Sequence, residues 1–114
     1  MADLVLKGEK TATASAYDLY AVDNEPLPRE GTFDVILDGQ DRAVCIVEIT
    51  KVSVQPFNQV SAEHAFKEGE GDKSLAYWRQ VHEDCFTEWM REAGLPFTPD
   101  SKVVLEEFRK VYPL

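Results

Sequence analysis

The sequence predicts an α+β domain, a small, twisted, partly closed β-barrel with two helices packed at one mouth. Three observations carry this. Strand-like runs occupy the first half of the chain and its very end, and the helix-like runs are gathered into one insertion between them. That grouping argues against alternating parallel units. The run from Arg42 to about Val54 is long for a flat strand and is expected to bend or bulge. Finally, 114 residues suffice for one hydrophobic core and not for two, so residues 1–114 are read as one domain.

Each element follows from local chemistry. Residues 3–7 read as the last turn of a helix, with Gly8 where helices often stop. Residues 10–16 read as a strand, and Asp23-Asn24-Glu25-Pro26-Leu27-Pro28 as a loop by its turn residues. After Gly31, the β-branched and aromatic run Thr32 to Leu37 is a strand. Asp38-Gly39-Gln40-Asp41 is a turn signal, predicting a hairpin with the strand that starts at Arg42. In that strand Cys45, Val47 and Ile49 alternate with Val44, Ile46 and Glu48, and Pro56 ends it. Ser61 opens a short helix that Gly69 and Gly71 close. A second helix is predicted from Ser74 to Ala93. Its stripe Leu75, Trp78, Val81, Cys85, Trp89 and Ala93, widened by Phe86 and Met90, reads as core. Gly94 caps this helix and Pro96 prevents its return. Lys102 to Tyr112 reads as a closing strand.

Composition excludes several classes of function. Twelve basic residues against 21 acidic ones give a net charge of −9, which disfavours a surface that coats long nucleic acid. A small or single-nucleotide ligand fits better than a duplex, so no duplex DNA is expected. No apolar run approaches a membrane span and the N-terminus lacks a charged-then-apolar leader, so a cytoplasmic protein with no membrane partner is expected. Cys45 and Cys85 have no framework spacing and read as small core residues of a reduced protein. His82 and Cys85 lie three apart on a helix but no second pair matches them, and His64 has only carboxylates and a lysine nearby in sequence. Neither a metal nor a cofactor is expected. There is no glycine-flanked serine elbow, and Gly69-Glu70-Gly71 is too acidic to cradle a phosphate. The acidic group Glu68, Glu70 and Asp72 reads as a solvated loop.

The informative segment is Gly8-Glu9-Lys10-Thr11-Ala12-Thr13. Thr11 and Thr13 share one face of a strand, because side chains repeat every second residue. A lysine just upstream places a cation beside those hydroxyls, an arrangement suited to gripping a polar group. The plain alternative is a helix end followed by a half-exposed strand.

Gly8-x-Lys10-Thr11-x-Thr13, followed by His64-Ala65-x-x-Glu68, resembles the ASCH family. The run Gly69-Glu70-Gly71-Asp72-Lys73-Ser74-Leu75-Ala76-Tyr77-Trp78 is similar to that of one bacterial branch of it. The resemblance implies a β-barrel related to the PUA domain, a module associated with RNA and modified nucleosides. Some small ASCH proteins are amidohydrolases of N(4)-acetylcytidine, and their lysine, threonine and glutamate match Lys10, Thr13 and Glu68. Thr11, Ser15, Tyr17, Ser74 and Tyr77 would then contact substrate. A threonine hydroxyl is a weak nucleophile until a base takes its proton. Lys10 serves as that base only if its pKa is lowered; ion-paired to Glu68, it serves instead as an electrophile for a developing oxyanion.

Two departures from the family pattern stand out. Ser15 occupies the place where the amidohydrolases carry an arginine, which removes a fixed fork of donors. Members of the branch also tend to carry a helical segment ahead of the lysine motif, which this chain starts too late to contain. Geometry adds a constraint, since positions 10 and 13 point to opposite faces of an ideal strand. Both enter one pocket only if the chain turns or bulges near Gly8.

The expected function is therefore recognition of RNA or a modified nucleoside, as a small hydrolase of an acylated pyrimidine nucleoside acting through Lys10, Thr13 and Glu68. The alternatives are a non-catalytic module that holds a nucleoside or a single-stranded RNA end, with Tyr17, Tyr20 and Tyr77 as stacking surfaces, and a metal-independent ribonuclease using Lys10 and Ser74. If none holds, Lys10 should lie in solvent and core side chains should close the pocket.

Overall fold

The computed structural model describes residues 2–113. Its elements, in order, are α1 (Ala2–Leu6), β1 (Ala12–Ala16), α2 (Tyr17–Val22), β2 (Phe33–Leu37), β3 (Ala43–Pro56), a 3-10 turn (Phe57–Gln59), α3 (Ala62–Glu68), α4 (Leu75–Glu92) and β4 (Lys102–Tyr112). The four strands form one antiparallel sheet in the order β1-β4-β3-β2. The fold class is α+β, a half-closed barrel with helices, as the sequence implies.

The expected bending of β3 takes the form of register shifts against β4 between Ile46 and Val47 and between Ile49 and Lys51. Each bulge adds local twist and curls the sheet. The hairpin joining β2 to β3 closes through the Asp38 carboxylate, which accepts the amides of Gln40 and Arg42. Two clusters fill the two faces of the sheet. Ala16, Phe57, Ala65, Trp78, Phe86 and Leu105 belong to the core beneath α3 and α4. Val5 of α1 packs with Cys45, Val47, Ile49 and Phe108 on the other face.

Three expectations are corrected. Strand β1 begins at Ala12 and not at residue 10, because the amides of Glu9 and Lys10 both donate to the Leu4 carbonyl and that of Thr11 to Lys67. Those groups are taken by the helices before the ladder starts. Helix α2 was not foreseen; it is six residues long and its N-cap, Ala16, offers no side chain, so it carries neither periodicity nor a cap signal. In α4 the buried residues are Trp78, Phe86 and Met90, which recur at multiples of four. All three belong to the predicted stripe, which is narrowed to its Trp78, Phe86 and Met90 side. Trp89, read as core, is 50% exposed, and Cys85 is half-buried. No helix among the described residues is long and apolar enough to cross a membrane.

Candidate functional site

Lys10 lies where α1, β1 and α3 meet. Its position depends on Gly69, whose φ of +70° ends α3 in the left-handed region. A Cβ at Gly69 would fall on the carbonyl of Glu9, so only glycine lets the two chain segments touch. The contact sets the lysine ammonium against the helix end. Lys10 Nζ is 3.5 Å from Glu68 Oε1, 3.4 Å from the Glu68 carbonyl and 3.2 Å from Glu70 Oε1. Lys10 is only 1% exposed and Glu68 only 2%.

Glu68 is the hub of this centre. Its Oε2 accepts the Trp78 indole N–H at 2.6 Å and lies 2.8 Å from His64 Nε2. Its Oε1 lies 3.3 Å from His82 Nε2. The other His82 nitrogen, Nδ1, is 2.8 Å from the Trp78 carbonyl. The His82 ring stacks on Trp78 at 4.3 Å and fixes the indole. Burial alone would raise the Glu68 pKa. The hydrogen bonds from His64 and His82, the Lys10 charge and the Trp78 N–H more than offset it and hold the carboxyl well below its ordinary value of 4.5. The centre is thus an ionised carboxylate with partners at both oxygens, beside a lysine set between two carboxylates.

The structure brings Lys10 and Glu68 together and leaves Thr13 elsewhere. Ala14 and Ala16 of β1 pack against the core under the helices. By strand alternation Thr13 and Ser15 face the other side, where Thr13 pairs in register with Glu106. The remaining expected residues have assigned partners. The Thr11 amide donates to the Lys67 carbonyl at 2.7 Å. Ser74 caps α4, its Oγ accepting from the Tyr77 amide at 3.1 Å. Tyr77 lies where a Cβ on Gly71 would go. Tyr17 receives the Lys102 ammonium over its ring at 5.5 Å.

Ser15 belongs to an open cleft. Its hydroxyl hydrogen-bonds the Tyr20 hydroxyl at 2.6 Å. Ser15, Tyr20 and Trp89, with Ala16, Leu19, Asp23 and Glu25, line a cavity of about 210 Å³. Burial, opposed by the Ser15 bond and reinforced by Glu106 and Glu25, pushes the Tyr20 phenol above its ordinary pKa. The phenol therefore keeps its proton as a hydrogen-bond donor. A second cleft, about 110 Å³ and mostly polar, lies between α3 and the sheet and is lined by Lys51, Ser53, His64, Lys67 and Glu107, among others. His64 connects it to Glu68.

Sequence reasoning missed the roles of His64, His82 and Trp78 around Glu68. The spacing of four between His64 and Glu68 was the available signal, since residues four apart share a helix face. The pair His82 and Cys85 was weighed for metal, but His82 turns to Glu68. Among the described residues no group of three or more His, Cys, Asp or Glu is placed to hold a metal ion.

The ASCH domain family model matches residues 1–112, and the chain belongs to that family. The chain is similar to the crystal structure of an ASCH domain from Lactobacillus crispatus JV V101, with 43% identity and a TM-score of 0.93, over 97% of this chain and 70% of that one. It is also similar to a crystal structure of a protein from Enterococcus faecalis V583, with 40% identity and a TM-score of 0.88, over 96% of this chain and 66% of that one. Comparison with curated proteins gives no match.

Proposed function

We propose that the protein recognises a single pyrimidine nucleoside, seating its base in the cleft of Ser15, Tyr20 and Trp89. One observation carries this reading: the cleft combines a half-exposed indole with a pair of hydroxyls 2.6 Å apart. An indole offers a stacking face to any base, and paired hydroxyls donate to and accept from a base edge. The volume of about 210 Å³ lies below the range of drug-sized pockets and fits one nucleoside better than an oligonucleotide. The carboxylates of Asp23 and Glu25 at the cleft oppose a phosphate backbone, in keeping with the net charge of −9.

Hydrolysis of an acylated pyrimidine nucleoside is the second reading, and the approach of Lys10 to Glu68 favours it. In that reaction Lys10, set between two carboxylates, acts as electrophile for the oxyanion. Substrate must then open the centre to reach a lysine that is 1% exposed, and Thr13 must cross from the other side of the sheet. These requirements make recognition the better-supported function. A ribonuclease built on Lys10 and Ser74 is weaker still, since Ser74 is committed to capping α4.

Calorimetric titration of the protein with cytidine, beside mass-spectrometric analysis of a mixture with N(4)-acetylcytidine, separates the readings. Saturable binding that Trp89→Ala abolishes, with no release of cytidine, is the expected result. Cytidine produced by the wild type and not by Lys10→Ala would instead establish the hydrolase.

A further inference from the structure

The charge around the Ser15–Tyr20–Trp89 cleft bears on which nucleosides it admits. Asp23 and Glu25 line it, while no lysine, arginine or histidine is among its lining residues. A third carboxylate, Glu106, lies close enough for its charge to act on the Tyr20 hydroxyl, as does that of Glu25. Trp89 and Tyr20 are the aromatic lining, with Trp89 packed against Phe86 at 5.9 Å between ring centroids and half its surface left open. Aromatic faces and carboxylates without a basic residue attract cations twice over, through the ring quadrupole and through charge. They repel phosphate for the same reason.

We infer that this cleft selects a nucleoside whose base carries a positive charge, such as one alkylated on a ring nitrogen, and that it rejects nucleotides. The inference rests on the nucleoside reading of the cleft and narrows it to a chemical class. The indole binds the cationic ring by stacking, the Ser15–Tyr20 hydroxyls meet its polar edge, and Asp23 and Glu25 neutralise its charge. The −9 net charge adds a long-range field that enriches cations near the surface.

The test is calorimetry at low salt with four probes: cytidine, 3-methylcytidine (cationic near neutral pH), 3-methyluridine (methylated but neutral) and cytidine 5′-monophosphate. The expected result is 3-methylcytidine binding about five- to tenfold more tightly than cytidine and 3-methyluridine. The monophosphate should bind more weakly than cytidine. In the double variant Asp23→Asn, Glu25→Gln the ratio of 3-methylcytidine to cytidine affinity should shrink toward unity, and added salt should have a similar effect in the wild type. Equal affinity for cytidine and 3-methylcytidine would overturn the inference and leave the nucleoside reading standing. Tight binding of the monophosphate would also overturn it. Failure of all four probes to bind would overturn the nucleoside reading, and the inference with it.

Discussion

Two polar regions sit at opposite ends of β1 and differ in almost every physical respect. Just before β1, Lys10 meets Glu68 of α3, and both are sealed from solvent and hydrogen-bonded. Further along β1, Ser15 opens onto Tyr20 and a half-exposed Trp89. Trp78, His64 and Lys10 converge on the Glu68 carboxylate, which is 2% exposed. The open cleft has an unpartnered aromatic surface and hydroxyls within reach of solvent. On the proposed reading, a motif that identifies a family serves the fold, while an adjoining surface with no motif offers the binding site. Substitutions in the two regions should separate accordingly, stability falling in the first and affinity in the second.

The largest effect is expected for Trp78→Ala, which removes a buried ring from the core and a donor from Glu68. A loss of about 3–5 kcal/mol in urea unfolding is predicted. Glu68→Gln should cost a similar or slightly smaller amount, about 3–5 kcal/mol, because Lys10 and the two histidines lose their common anion. A near-neutral Glu68→Gln would show that the centre is not structural.

The same carboxylate sets an acid limit. The Glu68 pKa is depressed in the folded state, so its stabilisation is present above the ordinary value of 4.5 and is lost as pH falls below it toward the folded value. Unfolding free energy followed from pH 6 to 3 should therefore decline, and the slope should be shallower in Glu68→Gln. It should not vanish, since Glu107, hydrogen-bonded to Lys67, is also held below its ordinary pKa.

Gly69→Ala should cost about 1–3 kcal/mol, through its positive φ and the collision with the Glu9 carbonyl. The smallest changes in stability belong to the open cleft. Trp89→Ala should cost about 1 kcal/mol, because half of the ring is exposed and the rest packs on Phe86, while removing measurable nucleoside binding. Ser15→Ala should weaken binding by about 0.5–1.5 kcal/mol, one neutral hydrogen bond.

Much of the fold was legible because it is written in local chemistry. Ser61 and Ser74 cap the two helices as their positions suggest, and the turn at Asp38–Asp41 closes the hairpin. The closing strand also runs over Lys102–Tyr112 as predicted. What was illegible depends on tertiary contact. Nothing local reveals that Thr11 donates to α3, which delays β1, or that α2 forms without a side-chain cap. The stripe on α4 is wider than the side that is buried, and only packing against Phe57 and Phe97 selects the side through Phe86. The meeting of Lys10 and Glu68 followed from family resemblance and not from spacing, since 58 residues separate them. The aromatic part of the cleft was hidden by the width of that stripe: Trp89 read as core because both sides of it carry aromatics.

The two tryptophans offer the most direct test of the central claim, that the nucleoside site is the open cleft and not the sealed centre. Each indole N–H gives its own signal in a ¹⁵N–¹H spectrum, Trp78 held on Glu68 at 2.6 Å and Trp89 at the cleft. On titration with cytidine, the account predicts movement of the Trp89 indole and of the Ser15–Glu25 amides, with the Trp78 indole unmoved. Movement of the Trp78 indole and the Lys10 and Glu68 amides, with Trp89 unchanged, would contradict it and return the site to the lysine centre.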